Sequence, residues 1–180
     1  MRPRLPGLEG PARISGADVT LYRVAYLNTT RPSVQGEAVG LWPDGLVPDV
    51  DEIAGEERRA FPFDVPSREA RAIWVDVHVP MDAPPGEYRG TVAVTAQGYA
   101  SEVAVRLTVV DAALPSTPSL ATAFLLWPPH VCLAHTGSPD CSVEQQEELL
   151  ARYQRMALEH RVTLSSAFPR VAQDWSAFDA

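Results

Sequence analysis

Val79 to Val94 read VPMDAPPGEYRGTVAV. Two strand-like segments flank a connection that carries Pro80, Pro84, Pro85 and Gly86, far more proline and glycine than a minimal hairpin requires. Upstream, Ile73, Val75, Val77 and Val79 alternate with Trp74, Asp76 and His78, which predicts a half-buried strand with one core face and one mixed face. Downstream, Val92 and Val94 keep the same period, and Val103, Val105, Leu107 and Val109 repeat it after a short reversal at Gln97 to Ala100. Three consecutive antiparallel strands are therefore expected. A meander with one apolar face needs a covering layer, and with no helical pattern before residue 140 that layer should be a second sheet.

Toward the N-terminus, DVTLYRVAYL (Asp18 to Leu27) reads as another strand. The preceding MRPRLPGLEGPARI has charge and proline but no apolar core, so it is not a secretory signal, and the sheet is expected to be incomplete at its start. Between Asn28 and Arg71 the periodicity dissolves. GLWPDGLVPD, DVDEIAGEERRA and FPFDVP read there as a long ordered loop rather than a second regular sheet. Trp42 and Trp74 are expected in core or interdomain packing.

DAALPSTPS (Asp111 to Ser119) marks a boundary, because Pro115 and Pro118 cannot donate to a ladder. The division expected is 1–115 and 116–180. LATAFLLW (Leu120 to Trp127) is a continuous apolar run, as in a parallel strand buried on both faces, and Pro128 to Cys141 reads as a loop. Ser142 and Gln145 form a capping-box pattern ahead of Leu149, Leu150, Tyr153, Met156, Ala157 and His160, predicting a helix from Val143 to His160. RVTLSSAF (Arg161 to Phe168) then completes one β-α-β unit.

Composition narrows the function classes. The 180 residues are 46% hydrophobic and 21% charged with seventeen prolines, the profile of a folded β-rich protein, and no apolar run approaches a membrane span. The apolar pattern predicts no membrane insertion, and a net charge of −8 without a single lysine argues against a phosphate-backbone binder, so nucleic acid is not an expected partner.

The order GLWPDGLVPD, FPFDVP, IWVDVHVPMDAPPGEYRGTVAVTA, VAVRLTVVDAALPSTPSL and RYQRMALEHRVTL resembles proteins related to glycoside hydrolase family 123, which often carry a domain of unknown function 4091. The likeness runs from about Val19 to Leu164. It implies a mostly β fold: an antiparallel β-sandwich followed by a truncated β-α-β start of a (β/α)8 barrel, in a bacterial protein of carbohydrate metabolism. Characterised members remove terminal N-acetylgalactosamine from glycans. They are similar to substrate-assisted hexosaminidases, in which an adjacent Asp-Glu pair late in the barrel orients the acetamido group and protonates the leaving oxygen. The only adjacent Asp-Glu in this chain, Asp51-Glu52, falls in the acidic loop, so no catalytic residue is assigned. What the resemblance implies is an accessory region of a carbohydrate-active enzyme, partnered by carbohydrate through the intact protein and by the remainder of its own barrel. The alternative is a glycan-binding or cell-surface structural module without chemistry. It implies no cofactor, and an extracytoplasmic setting.

Within that frame Trp127 closes the first barrel strand, at the rim where barrel active sites form, and its aromatic face suits the apolar face of a sugar ring. Trp127 and His130 are the substrate-binding candidates. His130, Cys132, His135 and Cys141 are residue types that zinc prefers, but their order matches no common zinc spacing, and no metal site is assigned. Two unpaired thiols are the default, with a Cys132–Cys141 disulfide the alternative in an oxidising compartment. Asp51, Glu52, Glu56 and Glu57 beside Arg58 and Arg59 fit no calcium loop and read as a solvated charged loop.

Overall fold

The structure is a computed structural model that describes residues 1–116, 118–120 and 122–166, Ser166 by its backbone alone. The chain divides into two compact units, Met1–Ala113 and Leu114–Ala180. It is mostly β, with antiparallel sheets and few helices. The first unit holds β1 (Arg2–Arg4), β2 (Leu8–Glu9), β3 (Arg13–Ile14), β4 (Val19–Thr29), β5 (Gly40–Val47), β6 (Val50–Asp51), β7 (Glu56–Glu57), β8 (Ile73–Val77), β9 (Gly86–Ala96) and β10 (Tyr99–Val109). The second holds β11 (Phe124–Leu126), α1 (Pro128–Thr136), α2 (Val143–Glu159) and β12 (Leu164–Ser166).

β9 is the centre of the larger sheet. It pairs with β10 from Gly86↔Val109 to Ala96↔Tyr99 across the Gln97-Gly98 turn, and its other edge receives β1 at residues 93 to 95 and β2 at Arg89. The chain crosses from β1 to β2 over Gly90, where a Cβ would lie 2.7 Å from the carbonyl oxygen of Gly7. Only glycine permits that approach. Residues 2–14 thus supply three strands to a region that the sequence leaves without them. Their segments are too short for a period to register.

The second sheet has the order β5-β4-β8. Here the expected meander is corrected: β8 pairs with β4, from Val19↔Val77 to Arg23↔Ile73, and not with β9. The stretch after β8 therefore carries the chain from one sheet to the other. Its prolines lack the donors a ladder needs, and Gly86 enters β9 at φ +148, a conformation closed to other residues. Tyr88 completes the crossing by donating its hydroxyl to the carbonyl of Pro84 at 2.9 Å.

A second correction concerns the segment between Asn28 and Arg71, which forms β5 and the small β6–β7 hairpin instead of one long loop. Pro43 sits in β5 opposite Tyr26, beside a register shift between Val24 and Tyr26. An edge strand with a bulge tolerates proline, so the breaker residues in GLWPDGLV do not end the strand.

The inner faces of the two sheets share a core. Leu8, Ile14 and fully buried Tyr88 gather Val19 and Val77 from the second sheet and Val105, Leu107 and Val109 from the first. A second cluster of Ala60, Phe61 and Phe63 packs with Met1, Leu21, Val47 and Ile73. FPFDVP is thus a core plug, tied to the first strand by the amide of Phe63 donating to the Met1 carbonyl at 3.1 Å. The apolar row of β10 runs past this core, leaving Val103 58% exposed. Trp42 and Trp74 are also surface residues, 48% and 54% exposed, and not core.

In the second unit β11 and β12 are parallel, from Phe124↔Leu164 to Leu126↔Ser166, with α1 and α2 between them in sequence. The presumed loop from Pro128 to Cys141 contains α1, whose start is set by Pro128 in the first turn. α2 begins with the full capping box: Gln145 N donates to Ser142 Oγ at 3.2 Å, and Ser142 N donates to Gln145 Oε1 at 3.1 Å. The apolar run is not buried on both faces. Leu120, Phe124 and Leu125 are exposed, and among the described residues β12 alone pairs with β11. Ala167 and Phe168, in the second strand expected from sequence, lie outside the described residues.

Replacing Tyr88 by Phe leaves a carbonyl without its donor, and the urea midpoint is expected to fall by the equivalent of about 1 kcal/mol. Tyr88→Ala, which also opens a cavity, should cost about 3–5 kcal/mol. Tyr99→Phe, at a site 57% exposed, serves as the control and should leave the midpoint in place. Equal effects of the two Tyr→Phe changes would show that the Pro84 contact does not secure the crossing.

Candidate functional site

Trp127 follows β11 directly and serves as the N-cap residue of α1, with an extended backbone at φ −93 and ψ 110. Its carbonyl accepts from His130 N at 3.0 Å and Val131 N at 3.2 Å, which fixes the first helical turn to the end of the strand. The same turn brings the side chains of Trp127 and His130 together: their ring centroids are 6.2 Å apart with planes tilted by 36°. Both residues are exposed. The pair offers an indole face and an imidazole able to donate or accept, a combination suited to a polar ring with one apolar side.

The other face of α1 is structural. Cys132, 1% exposed, is joined by a disulfide to Cys141, with the two Cα atoms 5.7 Å apart. His135 meets Tyr153 of α2 edge-on, its Nε2 3.1 Å from the phenol oxygen. Residues two apart on a helix point about 200° away from each other, so His130 and Cys132 cannot converge. Among the described residues no three His, Cys, Asp or Glu side chains gather into a metal-binding group.

The acidic segment is a hairpin whose carboxylates hold its turn. Asp51 Oδ1 accepts from Ile53 N at 3.0 Å and Ala54 N at 2.9 Å, while Oδ2 accepts from Arg58 Nη2 at 3.0 Å. The Ala54 amide foremost, with Arg58 and Ile53, holds the Asp51 carboxyl below its usual range despite partial burial. Asp49 Oδ1 accepts from Phe61 N at 3.0 Å, linking the hairpin to the core plug. An open depression of about 230 Å³ between Asp49, Val50, Glu57, Arg59 and Phe61 holds only an exposed Arg59–Glu57 ion pair at 3.7 Å and the Asp49 carboxylate already engaged by Phe61.

One group of side chains escapes sequence reasoning. On the outer face of the second sheet the β4–β8 register sets Tyr22 opposite Trp74 and Thr20 opposite Asp76. Burial foremost, then the charges of Asp76 and Glu52, push the Tyr22 phenol above its ordinary value. The alternation puts Trp74 on the mixed face of its strand, although core or interdomain packing is expected for it, and strand partners cannot be read from alternation alone.

Two outcomes check this account. A depressed native pKa means that Asp51 contributes stability above its ordinary value of about 4 and loses it as pH falls through the lower native value. The stability gap between the wild type and Asp51→Asn, read from urea midpoints, should therefore shrink between pH 6 and pH 3; a constant gap would dissociate the charge from the turn. The disulfide closes a short loop, so replacing both Cys132 and Cys141 by Ser should lower the exchange protection of α1 amides by about 2–3 kcal/mol and leave β4 and β9 unaffected.

Comparison with known proteins gives these geometries a context. A family model for the glycoside hydrolase 123 N-terminal domain matches residues 7–96, from β2 through β9. No curated protein matches the chain. Among solved structures, a family 123 glycoside hydrolase from Clostridium perfringens, studied for glycolipid glycan hydrolysis, is similar in fold with a TM-score of 0.59 and 15% identity. The similarity covers 89% of this chain but only 27% of that one. With half of its residues matched by the family model, the chain belongs to the glycoside hydrolase 123 N-terminal domain family.

Proposed function

We propose that the chain is the accessory region and barrel start of a carbohydrate-active enzyme resembling β-N-acetylgalactosaminidases, and that it is not catalytic by itself. The observation that carries this reading is the parallel pairing of β11 with β12 through intervening helices, the repeating unit of a (β/α)8 barrel. Membership of the family and the fold likeness to a family 123 glycoside hydrolase support it. So do the exposed side chains of Phe124 and Leu125, which a further layer of the same barrel would cover. In a barrel the C-terminal ends of the strands face the substrate, so Trp127 and His130 after β11 are placed to touch the sugar on which the barrel acts. The disulfide supports an extracytoplasmic setting.

No acid–base pair is assigned. The carboxylate of Asp51, in the only adjacent Asp-Glu of the sequence, is engaged by Ile53, Ala54 and Arg58 within its own hairpin. The purified chain is expected to leave an aryl N-acetyl-β-galactosaminide intact, because the late carboxylates of such a barrel are not among its residues. Joined to barrel segments encoded by the same reading frame, it should support hydrolysis that drops at least tenfold when Trp127 is replaced by Ala. Turnover by the chain alone would overturn the accessory reading, and a reading frame without βα repeats would overturn the barrel.

A further inference from the structure

The two sheets of the first unit present very different outer faces. On the larger sheet Arg89 and Arg106 are directly opposite and share Glu87, a solvated charged surface. On the smaller sheet the corresponding face is aromatic: Tyr22 and Trp74 are opposite partners, and Trp74 is 54% exposed. Directly opposed residues hold their Cβ atoms about 5 Å apart, so phenol and indole are neighbours on one surface. Asp76 stands two positions along β8 from Trp74 on the same side, roughly 7 Å away, with Thr20 across from it. Farther along β4, past the register shift, the Arg71 guanidinium covers Tyr26 at 5.1 Å from the ring centroid.

These groups select among occupants. Carboxylates at the rim repel phosphate, sulfate and other anions. Thr20 already hydrogen-bonds the Tyr22 phenol oxygen, but an apolar protein surface would strip water from Asp76 without offering it a partner, which is costly. A neutral sugar meets both halves of the surface: the apolar face of a pyranose ring covers an indole, and its hydroxyls donate to a carboxylate and exchange hydrogen bonds with a phenol. We propose that the outer face of the second sheet binds a neutral saccharide, with one ring on Trp74 and its hydroxyls held by Asp76 and Tyr22. The phenol remains a donor throughout the physiological range, since burial first, then the charges of Asp76 and Glu52, hold it above its ordinary value against the opposing hydrogen bond of Thr20. Every residue involved lies on β4 or β8, so the inference does not rest on the barrel reading.

The test is a titration of the full chain, followed by the indole N–H signals of its tryptophans in NMR spectra. N-acetylgalactosamine, lactose, chitobiose, maltotriose and cellotriose are the probes, each to roughly 10 mM, tenfold above a millimolar Kd. At least one should shift the Trp74 signal saturably. Trp74→Ala should weaken binding at least tenfold, Tyr22→Phe and Asp76→Asn by smaller factors, and Trp42→Ala not at all, with near-ultraviolet circular dichroism verifying that each variant is folded. Absence of any Trp74 shift across the five sugars overturns the proposal. So does a shift confined to the Trp127 signal, which would assign sugar binding to the end of β11, and so does a concentration-dependent dimer that Trp74→Ala dissolves, which would make this face a contact between copies of the chain. Glycoside turnover reads the barrel separately, so the two readings can fail independently.

Discussion

The hydroxyl of Tyr88 donates to the carbonyl of Pro84, and the ring beneath it is fully buried between the two sheets. Much of the first unit is arranged around that side chain. Leu8 and Ile14 pack on the ring from strands of only two residues each, and Gly10 approaches so closely that a Cβ there would lie 2.8 Å from the ring. A hydrogen bond reaching back four residues holds the connection bent while the ring provides the surface that both layers cover. The polar end and the apolar body of one tyrosine thus meet two requirements, closing a turn and filling a core.

The consequence for the larger architecture is that β8 and β9, neighbours in sequence, belong to different layers. The smaller sheet must then recruit β5 to its other edge, and FPFDVP fills the space beside Leu21, Val47 and Ile73. Charged groups stay out of this core: among the described residues no charged side chain is buried. The second unit relies on different means, a capped helix, a disulfide and the contact of His135 with Tyr153, because its short strands bury little.

Positions were more legible in the sequence than partners. Alternation from Ile73 to Val77 and from Val105 to Val109 marks strands and their inner faces correctly, since the pleat imposes period two on any half-buried strand, although the same row continues to Val103 beyond the core. Which strands pair is set by where the connections lead, and Pro84, Gly86 and Tyr88 determine that through contacts with Pro11 and with one another that no local pattern contains. Pro43 inside β5 and Pro128 at the start of α1 show the same limit from the other side. Proline breaks a central ladder or a helix interior, but an edge bulge and a first helical turn both accept it. The turn of α1 that brings His130 beside Trp127 became visible only with that helix, and the outward aromatic pair only with the β4–β8 register.

The pairing of β1 with the far end of β9 sets a timetable for the polypeptide during its synthesis. Thr95 Oγ1 donates to the carbonyl of Arg2 across 93 residues of sequence, and the first strands have no sheet to join until that distance has been translated. At about 5–20 residues per second, the opening segment waits roughly 5–20 s for its partner. During that interval Leu5, Leu8 and Ile14, all buried in the finished unit, are in water on a nascent chain. Their brief sequence segments, broken by Pro6, Gly7 and Gly10, are poor templates for pairing with another copy, so the same irregularity that hides these strands from a periodicity search protects the ribosome-bound intermediate from aggregation.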